Sequence, residues 1–67
     1  MNAKWIKIYT SNQFHKSEMV KQILIDNGIE AVLMNKQDTA YKFGEVEVLI
    51  PETNYSNALE IIIHNNL

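Results

Sequence analysis

Two imidazoles, three serine hydroxyls and eight carboxylates are the groups with which this chain could do acid–base, nucleophilic or metal chemistry. Their spacing supports none of the three. His15 and His64 lie far apart in the sequence, and no third and fourth ligand can be placed beside either to complete a metal site. Ser11, Ser17 and Ser56 have no base at a recognisable spacing, and an unactivated hydroxyl is a weak nucleophile. The carboxylates are scattered as on a solvated surface. Cysteine is absent, which excludes disulfides and thiolate metal sites. Gly28 and Gly44 are the only glycines, so no glycine-rich loop can cradle a phosphate. The residues therefore predict no enzyme, no metal site and no cofactor, and they direct attention to binding.

One segment is built for binding. Residues 35–44 mix amide, charged and aromatic groups, with Asn35, Lys36, Gln37, Asp38, Tyr41, Phe43 and Gly44 as the candidate ligand- or partner-binding set. Lys36 and Lys42 could meet an anionic group, and Asp38 could orient one of them. A purely structural role is the alternative. Asp38 would then cap a turn, Tyr41 and Phe43 would lid the core, and Gly44 would supply a positive φ.

The elements that must position this segment follow from hydrophobic periodicity. Trp5 to Tyr9 alternates and is rich in aromatic and β-branched residues, which predicts a first strand. Asn12 is the expected N-cap of a helix over about 13–27, with Met19, Val20, Ile23 and Leu24 as its apolar stripe. Gly28 sits where a left-handed helix-ending residue belongs. Ile29 to Asn35 predicts a second strand and Glu45 to Ile50 a third, ended by Pro51. A second helix is expected from Thr53 or Asn54 to about Asn65, with Tyr55, Ala58, Leu59, Ile62 and Ile63 inward.

The order β-α-β-β-α predicts an α+β, ferredoxin-like domain over residues 1–67 that lacks a final strand. A right-handed crossover makes the first two strands parallel, and the third inserts antiparallel to both. The sheet order is then 2-3-1, three strands in all, with both helices on one face. The expected core is Ile6, Ile8, Met19, Val20, Ile23, Leu24, Ile29, Ala31, Leu33, Val46, Val48, Ile50, Ala58, Leu59 and Ile62. The opposite face would show Trp5, Tyr9, Met34 and Leu49, with Val32 and charges among them, and Lys7 paired to Glu45 or Glu47. Either the long loop folds over this face, or it meets a second copy of the chain or another protein.

Composition narrows the partners. The net charge is −2, from six lysines against eight acidic residues, and arginine is absent. A mildly acidic, arginine-free surface is a poor match for nucleic acid or an anionic membrane. No apolar run is long enough to span a bilayer, and the N-terminus enters a strand pattern at once, so a cytoplasmic location is expected. At 67 residues the core is small, which makes a homodimer or other homo-oligomer a plausible source of extra stability.

Several stretches also resemble a known family. They are Trp5-Ile6-Lys7-Ile8-Tyr9, the run Glu18-Met19-Val20-Lys21-Gln22-Ile23-Leu24 followed by Asn27-Gly28-Ile29-Glu30-Ala31, then Asn35-Lys36-Gln37-Asp38, and Phe43-Gly44-Glu45-Val46-Glu47-Val48 before Pro51. Together they are similar to a family of prokaryotic signal-transducing proteins long catalogued as a domain of unknown function. The resemblance covers nearly the whole chain, and Asn35 to Asp38 with Tyr41 and Gly44 is its most specific part. It implies a ferredoxin-like fold related to the PII nitrogen-regulatory proteins and a regulatory role exercised on a protein partner or small molecule. The chain is much shorter than PII proteins and lacks their long uridylylation loop and an ATP-binding motif, so no nucleotide is implied.

Overall fold

A computed structural model describes residues 4–38, 40 and 44–67. Strand β1 is Trp5–Ser11, helix α1 Phe14–Asp26, strand β2 Val32–Asn35, strand β3 Val46–Pro51 and helix α2 Tyr55–His64, the last entered through a 3-10 turn at Glu52–Asn54. The strands lie in the order β1-β3-β2, and β3 is antiparallel to both neighbours. The expected α+β, ferredoxin-like arrangement is therefore present. Val20 and Leu24 of α1 and Ala58 of α2 join Val48 and Ile50 in one core cluster, so both helices cover the same face of the sheet.

The end of α1 follows its sequence closely. Gly28 has φ +83°. Its N–H donates to the Ile25 carbonyl at 3.0 Å, and the Ile29 N–H donates to the Leu24 carbonyl at 2.9 Å. This is a Schellman ending, in which a residue without Cβ takes the left-handed position and the helix's last carbonyls gain partners. It also explains why β2 begins only at Val32, since Ile29 is still part of the helix ending. Ile29 and Ala31 nonetheless reach the core, as their alternation predicts.

Three expectations need correction. The N-cap of α1 is Gln13 and not Asn12, and Gln13 makes no side-chain cap bond. Ser11 Oγ instead accepts the Gln13 N–H at 3.0 Å, so the turn is organised one residue earlier. Met19 and Leu59 are exposed, as are Tyr55 and Ile63. The buried side of α1 runs through Ser17, Val20 and Leu24, and α2 turns Ala58, Ile61 and Ile62 inward. Ser17 occupies a core position because its hydroxyl donates to the Val46 carbonyl at 2.7 Å with both groups out of water. With Ser17 inward, Met19 faces solvent.

The third correction concerns Tyr9. Lys7 pairs with Leu49, but Tyr9 pairs with Val48, so Ile8 is an extra residue in β1. A bulge of this kind switches the alternation of every residue after it. Tyr9 consequently lies on the helix side and packs against the core, while Thr10 takes the open side opposite Glu47.

Candidate docking face

Glu47 stands at the centre of the open sheet face, on the middle strand. Pairing places Thr10 and Met34 across from it. Its carboxylate is reached from both flanking sides: Lys7 Nζ lies 3.6 Å from Oε2, and Lys36 Nζ lies 3.5 Å from the same oxygen. The Glu47 side chain is only 10% exposed, whereas the two lysines are half exposed. A carboxylate so shielded keeps its charge at tolerable cost only when paired, and here two cations neutralise it. Glu45 is engaged differently, accepting a hydrogen bond from Thr10 Oγ1 at 3.3 Å.

Apolar side chains surround this charged centre. Trp5 is 42%, Val32 41% and Met34 43% exposed, and Leu49 is half-buried. The face therefore stays open at Trp5, Val32 and Met34. Of the expected oligomer face, Trp5, Met34 and Leu49 belong to it and Tyr9 does not. Val32 and Lys36 complete it.

The segment after β2 is fixed by its own polar groups. Asn35 Oδ1 accepts the Gln37 N–H at 2.9 Å, which closes an Asx turn. Gln37 Nε2 donates to the Asn12 carbonyl at 2.7 Å and ties the segment to the turn after β1. Asp38 Oδ1 accepts the Ala40 N–H at 2.8 Å. The Lys36 N–H donates to the Glu45 carbonyl at 3.0 Å, continuing the β2–β3 pairing by one residue. Gly44 has φ +106°, and a Cβ there would stand 2.6 Å from the Lys36 carbonyl oxygen. Only glycine permits that approach. Tyr41 and Phe43 of the candidate set, with Lys42, lie outside the described residues.

These bonds have one consequence for the surface. They hold Lys36 in strand register, so its side chain joins Val32 and Met34 on the open face. The loop and the face, separate candidates in the sequence, share Lys36 and form one surface. Continuing the two-residue period of β2 by one step, from Met34 to Lys36, is the signal that would have revealed this.

His15 and His64 are exposed, on the first turn of α1 and the last of α2, and neither lies in the sheet whose open face this is. No helix among the described residues is long and apolar enough to cross a membrane. A family model described as putative prokaryotic signal transducing protein matches residues 5–66. Neither a curated protein nor a solved structure matches the chain.

Proposed function

The chain belongs to this family of putative prokaryotic signal transducing proteins, and from that membership we propose a non-catalytic regulatory module that docks a protein partner through its open sheet face. The observation that carries the reading is the mixed surface itself. Three large apolar side chains remain two-fifths exposed around a carboxylate that two lysines hold in place. Large apolar side chains left exposed together on one face are a common mark of a partner surface. A fixed charge pattern within it selects partners by complementarity. Trp5 is the natural anchor, since aromatic side chains dominate binding energy at such sites. Lys36, with Asn35, Gln37 and Asp38 behind it, forms the edge that meets the partner's polar groups. Gly44 lets the loop approach closely enough to hold that edge.

The same face supports a second reading, in which its occupant is another copy of the chain and the role is structural. Light scattering over a concentration series separates the two. A monomer at the highest attainable concentration removes the homo-oligomer. For the first reading, Trp5→Ala and the pair Lys36→Ala/Asp38→Ala are compared with wild type for recovery of partners from the native cell. Trp5→Ala should lose partners that wild type retains, and the loop pair should weaken them. Equal recovery with all three proteins would refute docking through this face.

A further inference from the structure

A groove of 520 Å³ lies on the helix side of the domain, between the end of α1 and the length of α2. Its volume is within the range of about 300–1,000 Å³ typical of small-molecule sites. Four asparagines line it, together with Glu60 and His64. No lysine does.

The amides have a definite polarity. Asn27 Nδ2 donates to the Ile23 carbonyl at 2.8 Å, and Asn65 Nδ2 donates to the Ile61 carbonyl at 2.8 Å. A carbonyl can only accept, so these bonds fix which end of each amide is the NH₂ group. The Oδ1 of each remains as a hydrogen-bond acceptor. The C-terminal end of α1 forms one wall at Asn27 and Gly28, and a helix C-terminus carries partial negative charge. Glu60 adds a full negative charge. Among the described residues the side chains of Asn54, Asn57, Glu60 and His64 have no hydrogen-bond or ion-pair partner. Ile29 and Ile61 supply apolar surface beside them.

We propose that this groove binds a small organic cation, a primary ammonium or guanidinium on a short aliphatic stem. Glu60 pairs with the cationic head, the Oδ1 atoms of Asn27 and Asn65 accept its remaining N–H groups, and Ile29 and Ile61 contact the stem. The groove lies on the opposite side of the sheet from the docking face, so the two sites can be tested independently.

The test is an NMR titration of the full chain with agmatine and with putrescine, and with inorganic phosphate as the anionic control, at about 150 mM salt to screen diffuse charge effects. Saturable shifts are expected at the Gly28 amide and at the Asn54, Asn57 and Asn65 side-chain amides with the two cations. Phosphate should produce none. Glu60→Gln should weaken agmatine about tenfold, a change of about 1.4 kcal/mol. Glu18→Gln removes the same charge from an exposed site on α1 outside the groove and should leave the affinity unchanged. Absence of saturable shifts up to about 10 mM, a binding weaker than about 2.7 kcal/mol, overturns the proposal. Equal weakening by both glutamate variants, or equal shifts with phosphate, also overturns it.

Discussion

Replacing Lys7 and Lys36 by methionine, singly and together, probes how the open face holds its charge. Two unit charges 3.5–3.6 Å apart interact by roughly 1 kcal/mol in a water-like dielectric and roughly 5 kcal/mol at an effective dielectric of 20. The lysine heads are half exposed, so each pair sits near the lower figure, and exposed pairs contribute about 0–1 kcal/mol. Lys7→Met or Lys36→Met alone should therefore cost about 0.5–1 kcal/mol, because the other lysine still faces Glu47. The double variant leaves a carboxylate that is 10% exposed with neither cation. That should cost about 2–4 kcal/mol, more than the sum of the singles. Glu47→Gln should relieve the loss in the double-variant background, yet change wild type by less than about 1 kcal/mol because the two lysines can rehydrate. Urea unfolding of wild type and the five variants reads all of these values. If the double variant equals the sum of the singles within about 0.5 kcal/mol, Glu47 is not jointly held and the reasoning fails.

Ser17→Ala removes a buried donor from the Val46 carbonyl and should destabilise by about 1–2 kcal/mol, read as a fall in Tm of roughly 4–16 °C for a domain of this size. No change in Tm would mean that the carbonyl is satisfied without it. Gly44→Ala should be the more damaging glycine substitution, exceeding Gly28→Ala by more than about 1 kcal/mol in denaturant unfolding. Both have positive φ, but only at Gly44 does a Cβ meet backbone, while nothing lies within 4 Å of one at Gly28. Tyr9→Ala should lose about 2 kcal/mol or more and Thr10→Ala under about 1 kcal/mol. The reverse order in thermal unfolding would mean that β1 has no bulge and keeps its simple alternation.

Much of the fold could be read in the residues because several local signals agreed. Gly28 after Asn27 marked a helix end, and the alternation of Ile29, Ala31 and Leu33 marked the inward face leading into and along β2. The relation of β3 to both neighbours followed from the handedness of the crossover. The errors arose where one residue's chemistry overrode its class. Ser17 is polar by type but buried by function, and its inclusion turns α1 away from Met19. The bulge at Ile8 adds one residue that no composition rule reveals, and it moves Tyr9 from one face to the other. On α2 the inward positions depend on contact with α1 and β1, which periodicity within ten residues cannot specify. The candidate surface was legible in part. Trp5, Met34 and Leu49 followed from alternation, and the ion pair of Lys7 followed from strand neighbourhood. The place of Lys36 depended on loop hydrogen bonds from Asn35 and Gln37, which sequence spacing alone does not show.

The most direct test of docking through the open face is site-specific photo-crosslinking in the native cell. A photoreactive phenylalanine analogue is placed at Val32, on the open face, or at Glu18, on exposed α1. The account predicts a discrete protein adduct from position 32 that disappears when Trp5→Ala is added, and none of that adduct from position 18. An adduct that persists in the Trp5→Ala background, or that forms equally from position 18, would contradict it.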